Sequence, residues 1–114
     1  YNMIGAMHLM GARKNDRSKF PTMSYPKEAV EALPTNFDAR EKWGNSTIGP
    51  VQNQGSCGSC WAVSSAASIS DRTAIKNNAS YLNLAAVDIV ACDSNDNGCF
   101  GGEPYNAWGF AQSQ

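Results

Sequence analysis

"QGSCGSCWA", residues 54–62, carries two cysteines three positions apart, with glycines before and between them and a tryptophan after the second. A C-x-x-C pair has three chemical readings. It is a dithiol redox couple, one knuckle of a zinc site, or a catalytic thiol beside a structural cysteine. The rest of the chain decides among them.

A structural zinc site takes four ligands, usually as two short knuckles. Cys57 and Cys60 make one, but Cys92 and Cys99 are separated by six residues, and the single histidine, His8, lies far away in a methionine-rich stretch. No metal is expected. A redox couple belongs at a helix N-terminus after a strand of a βαβ unit. Here "GPVQNQ" precedes the pair, a poor substitute for a Val/Ile-rich strand. The third reading uses more of the letters. Cys60 would head a helix, where the macrodipole favours an anion. Acyl transfer also needs donors aimed at an oxyanion, and Gln54 offers a side-chain amide near the Cys60 backbone N–H. Gly55 and Gly58 would let the intervening loop fold tightly. Catalysis of this kind needs no cofactor.

Outward from this stretch, the helix predicted from 60 to 77 is rich in Ala and Ser, with Val63, Ala66, Ala67, Ile69 and Ile75 as apolar members. A helix of small residues can be approached closely from most sides, which suits a central position. A second helix is expected over 85–91. A third starts at Pro104, a favoured first helical residue, with Tyr105, Trp108 and Ala111 on one side. "CDSNDNGCFGG" between them reads as a loop. Upstream, Phe37 and Trp43 are offered as core anchors. Residues 1–32, with Pro21 and Pro26 followed by Pro34, read as an extended segment crossing a surface. Met3, Ile4, Met7, Leu9 and Met10 make it too apolar for a solvated tail.

The 114 residues include nine basic and ten acidic side chains, a formal net charge of −1. That balance gives no case for nucleic acid, which needs clustered Lys and Arg. The one basic cluster, 13–19, is interrupted and reads as a solvated loop. No apolar run approaches the roughly 18–20 residues that span a bilayer, so no membrane partner is expected. Two N-x-S/T sequons, at Asn45 and Asn78, lean with the cysteines towards an oxidising or endomembrane compartment.

"QGSCGSCWA" is similar to the active-site signature of papain-family cysteine proteases. "LPTNFDAREKW", "SISDR", "GCFGGEP" and "AWGF" resemble cathepsin B-like members in order and spacing. The resemblance implies an α+β papain-like fold, of which this chain supplies the mainly helical left half. Residues 1–32 would be the end of an inhibitory propeptide, and 33–114 the N-terminal part of the peptidase domain. It further implies Cys60 as nucleophile, Gln54 as oxyanion donor, and Gly58, Ser59 and Trp61 around the cleft. Gly101 and Gly102 would pair with extended substrate, and Glu103, Pro104 and Tyr105 would approach the S2 subsite. Cys57 and Cys99 would form a disulfide. Peptide or protein substrates, the chain's own propeptide and cystatin-type inhibitors are the implied partners, in a lysosome or outside the cell.

Departures accompany the likeness. The family's catalytic histidine and asparagine lie about 130–150 residues after the cysteine, beyond residue 114, so the chain reads as a piece of a longer enzyme. His8 cannot substitute, because it falls in the propeptide-like part. Pairing Cys57 with Cys99 leaves Cys92, whose counterpart in relatives pairs with a cysteine in the later half of the enzyme. Ala85 stands where relatives place a capping serine, a change that costs about 0.5–2 kcal/mol unless Asn83 compensates.

Overall fold

The computed structural model describes residues 6–14, 18 and 20–114. The helices lying wholly within them are α1 (Lys27–Glu31), α2 (Ala39–Trp43), α3 (Cys60–Asn77), α4 (Ala86–Cys92) and α5 (Pro104–Ser113), with a 3-10 turn at Gly98–Phe100. Among the described residues the β structure is one isolated parallel bridge, Ala12 with Gly102. This is the mainly helical half that the α+β expectation assigned to the chain.

The central helix α3 begins at Cys60 and ends where Asn78 turns into the left-handed region (φ 50°), its N–H bonding back to Ala74 and Ile75. Asn tolerates that conformation better than most residues. Small side chains let α4 and α5 lie against α3. Trp61, Ala62, Ala66, Ile89 and Ala107 form the core, with Ala86, Val90 and Phe110 packed on its edge. Trp61 is fully buried, so its truncation to Ala would cost roughly 3–5 kcal/mol.

Polar residues of α3 anchor the neighbouring loops. Ser70 donates to the Ala66 carbonyl and accepts from the Leu84 N–H at 3.1 Å. Asp71 accepts from the Gly49 N–H at 2.8 Å, and the Tyr81 N–H donates to the Ser46 carbonyl.

Several local expectations are corrected. The stretch expected to be extended contains α1, an exposed single turn that follows Pro26 and carries a Lys27–Glu31 pair at 3.5 Å. Proline fixes the entry dihedral and the i,i+4 pair suits a helix. Phe37 and Trp43 are not core anchors: they are 62% and 39% exposed and meet edge to face at 5.5 Å. On α5 the buried residue is Ala107, while Tyr105 is exposed, because only a small side chain fits the close contact with α3. Asn83 does not cap α4: its Oδ1 accepts from Tyr81 OH, and Ala85 stands at the cap position with no side-chain bond. Met7 and Met10 are exposed despite being apolar, and Met3 and Ile4 lie outside the described residues. Arg13 is not part of a solvated loop. It bonds the chain near Phe100, while most of the remaining basic cluster lies outside the described residues.

No helix is long and apolar enough to cross a membrane among the described residues, and none of these residues form a group of three metal-ligating side chains.

Candidate active site

Cys60 is the first residue of α3, half-buried, with a free thiol. Ser59 precedes it at the cap without a side-chain bond, while its carbonyl accepts from the Ala62 and Val63 N–H groups, so the Cys60 and Trp61 N–H groups lie at the open head of the helix. Cys57 is disulfide-bonded to Cys99, 42 residues on, with 4.7 Å between Cα atoms. The two cysteines of the opening stretch therefore have separate fates. The bond is reinforced by the Gly58 N–H, which donates to the Cys99 carbonyl at 3.0 Å. A Cβ at Gly58 would lie 2.5 Å from that carbonyl oxygen and 2.9 Å from the His8 carbonyl oxygen, so the position admits no side chain.

Gln54 arrives from the loop on the other side. Its Nε2 donates to the Cys57 carbonyl at 3.0 Å and to the Leu9 carbonyl at 2.8 Å. The first bond fixes the amide within the cysteine loop, and the second engages a peptide oxygen from residues 6–14. A cavity of about 720 Å³ opens beside Cys60 and is lined also by Gln54, Val63, Ser64, Asp71 and Tyr81.

Trp61 closes the floor. Its indole Nε1 donates to the Gly98 carbonyl at 3.1 Å, and its ring supports Gly102, where a Cβ would come within 2.6 Å of the ring. Gly101 adopts φ 112°, which disfavours any side chain. The two glycines thereby present bare backbone, and residues 11–13 use it. The Gly102 N–H donates to the Gly11 carbonyl at 2.8 Å, and the Arg13 N–H donates to the Gly102 carbonyl at 2.9 Å. Arg13 Nη2 donates to the Phe100 carbonyl at 3.4 Å. Asn97, with its amide oxygen turned to the guanidinium, accepts from Arg13 at 2.8 and 3.1 Å. Further along, Phe20 meets Tyr105 edge to face, with ring centroids 4.7 Å apart.

The structure thus gathers Cys60, Gln54, Gly58, Ser59 and Trp61 around the head of α3. Gly101 and Gly102 form an adjoining edge, with Glu103, Pro104 and Tyr105 at the start of α5. Leu9 touches Gln54, Gly11 and Arg13 touch Gly102, and Phe20 touches Tyr105. His8 is exposed on that same segment. Sequence reasoning missed Leu9, Gly11 and Arg13 as contacts, and it missed Asp93 and Asp96 beneath the edge. Burial pushes the Asp96 carboxyl above the ordinary aspartate range. Hydrogen bonds from the Glu103 N–H and Asn106 pull it back, and the charge of Asp93 adds to the rise.

Residues 33–114 match the family described as papain family cysteine protease. Cathepsin B of Dictyostelium discoideum is 39% identical over 116 residues, taking in 100% of this chain and 37% of its own length. A cathepsin B-like cysteine proteinase of Schistosoma japonicum is 36% identical over 118 residues, covering 96% of this chain and 34% of itself. Among solved structures, procathepsin B S9 from Trypanosoma congolense superposes with a TM-score of 0.78 at 34% identity, over 94% of this chain and 38% of that one. The chain spans just over a third of the length of these relatives.

Proposed function

This chain belongs to the papain family of cysteine proteases, on its cathepsin B-like branch, and we propose that the whole protein hydrolyses peptide bonds with Cys60 as nucleophile. One observation carries the reading. Cys60 stands free at the head of α3 while Cys57 is tied to Cys99, and the Gln54 amide beside them already donates to a peptide carbonyl. In the reaction the Cys60 sulfur attacks the substrate carbonyl carbon. Gln54 Nε2 and the Cys60 N–H hold the oxyanion. The C–N bond then breaks as the amine takes a proton, and water hydrolyses the thioester. His8 lies on the segment across the site, so the proton shuttle falls to a histidine outside residues 1–114.

In the same reading, residues 1–32 are the end of a propeptide and 33–114 belong to the enzyme. The start of the family match at residue 33 supports that division. So do the contacts of Leu9, Gly11, Arg13 and Phe20 with the residues assigned to substrate. Held there, the segment blocks the cleft until it is removed. Peptides and proteins are then the substrates, and cystatin-type inhibitors would compete for the same cleft. The Cys57–Cys99 bond and the two sequons fit a lysosomal or extracellular destination. A dithiol oxidoreductase is disfavoured, since Cys57 is bonded to Cys99 and not to Cys60.

The test is expression of the full-length protein, removal of residues 1–32, and assay on peptide substrates with the Cys60→Ala variant alongside. Hydrolysis by the parent and none by the variant is expected. Equal hydrolysis by both would sink the assignment.

A further inference from the structure

We propose that Asp93 and Asp96 hold one proton between them, and that this shared proton positions the Gly101–Gly102 edge so that peptide pairing there depends on acid. The inference rests on the reading of that edge as the substrate-binding strand. Asp93 is only 5% exposed. The Oδ2 atoms of both residues are buried without a hydrogen-bond partner. Every other carboxylate oxygen of the pair is engaged. Asp93 Oδ1 accepts from the Asn95 N–H at 3.0 Å, and Asp96 Oδ1 accepts from the Glu103 N–H at 3.0 Å and from Asn106 at 3.4 Å.

Two ionised carboxylates whose Oδ2 atoms are both shut off from solvent and unpartnered would repel each other, and native structures rarely leave such atoms unmatched. A single proton resolves both problems: the acid O–H of one residue donates to the carboxylate oxygen of the other. The proton comes from solvent and returns to it when the pH rises. Among the described residues no other charged side chain is bonded to the pair. Arg13, from residues 6–14, is spent on Asn97 and the Phe100 carbonyl. Trp61 of α3 does not titrate and is bonded to Gly98. Asp88 and Cys92 of α4 face one another at 3.7 Å. Glu103, ahead of α5, meets Asp96 through its backbone N–H.

The pair lies directly under the edge. A Cβ at Gly102 would fall 2.7 Å from Asp96 Cγ, and the Asn97 N–H holds the Gly101 carbonyl at 3.0 Å. Asp96 is therefore a positioning residue: it touches no substrate but braces the backbone that does. Burial raises its carboxyl above the ordinary value of 3.8. An acid raised on folding gives stability that is fully present below its unfolded value and lost as pH rises through the folded one. The edge is firm in acid and loosens towards neutrality.

The test uses the full-length protein in two arms. In the activated enzyme, KM for a peptide substrate should rise several-fold from acid to neutral pH beyond any change in kcat. Asp96→Asn keeps the Oδ1 acceptor and donates an N–H towards Asp93, so it should hold KM near its acid value throughout. Asp93→Asn, the reciprocal change, should do the same and serves if the first variant folds poorly. In the second arm, melting of Cys60→Ala precursor over the same range needs no activity. It should fall with pH more steeply than in the two amide variants made on that background. Amide variants that keep the parent's slope in KM and in melting overturn the proposal. So does millimolar calcium that restores the parent's melting temperature at neutral pH but not theirs, since a cation would then fill the place of the proton. A protein without peptidase activity whose melting still separates in this way refutes the proposed function and leaves the shared proton standing.

Discussion

The side-chain amide of Gln54 donates to the Leu9 carbonyl at 2.8 Å, across 45 positions of sequence. The donor assigned to an oxyanion is thus the same donor that grips residues 6–14. In the proposed function one group would serve catalysis and latency, and the two uses would exclude each other. Gln54→Ala in the activated full-length enzyme should lower kcat by about 10²–10³, the usual loss for one oxyanion donor, with a smaller change in KM. The same variant should bind a synthetic peptide of residues 1–32 more weakly than the parent does. An unchanged affinity for that peptide would detach Gln54 from the latch.

Arg13 adds specificity to that segment through its bonds to the Phe100 carbonyl and to Asn97. Both contacts lie near the surface, so their worth is nearer 1 kcal/mol than the larger values of buried charged bonds. Inhibition of the activated enzyme by the 1–32 peptide should therefore weaken about fivefold on Arg13→Ala. Lys14→Ala removes the same charge from the next position and should leave inhibition nearly unchanged. Equal losses in both peptides would mean that net charge, and not the fork of bonds, does the holding.

How far these features could be read beforehand depended on the range of the interaction. Helix α3 was legible from 60 to 77, because its Ala/Ser run, the cysteine loop before it and Asn78 after it are all local signals. The second helix was displaced by a single residue, Ala86–Cys92 against 85–91. On α5 the sequence spacing singled out Tyr105, Trp108 and Ala111, whereas the residue buried against α3 is Ala107. Cys60, Gln54 and the glycine pair came from a signature dense enough to need no tertiary knowledge. Leu9, Arg13 and the Asp93–Asp96 pair had no such signal. Arg13 meets Phe100 across 87 positions, and nothing near either residue announces the other. An aspartate in a loop rich in Asn and Gly looks solvated until the fold closes over it.

Gly102 tests the bare-backbone argument. Adding one methyl there drives it to 2.6 Å from the Trp61 ring and 2.7 Å from Asp96 Cγ, neither of which is the free end of a flexible chain. Gly102→Ala should destabilise the fold by roughly 1–3 kcal/mol, the ordinary range for overpacking, seen as a lower melting temperature. KM for peptides should rise in the same variant, because the edge must move off the indole. A normal melting temperature with a normal KM would mean that the backbone has slack that these distances deny.

The disulfide makes the last prediction, and it turns on what the bond constrains. Linking Cys57 to Cys99 closes a 42-residue separation, which the chain-entropy account values at about 4 kcal/mol. The bond also fixes the Gly58 N–H on the Cys99 carbonyl, and through Gly98 it steadies the loop that holds Trp61 Nε1. A Cys57→Ser, Cys99→Ser double variant of the full-length protein should melt well below the parent, by an amount set mostly in the unfolded state. Its Cys60 thiol should then react faster with an alkylating reagent than in the parent precursor, because the loop and residues 6–14 are held on a common frame. The parent precursor, labelled under the same conditions, is the reference for reagent access. A lowered melting temperature with an unchanged rate of Cys60 labelling would assign the bond to stability alone. A raised rate means that the bond also keeps the segment over Cys60.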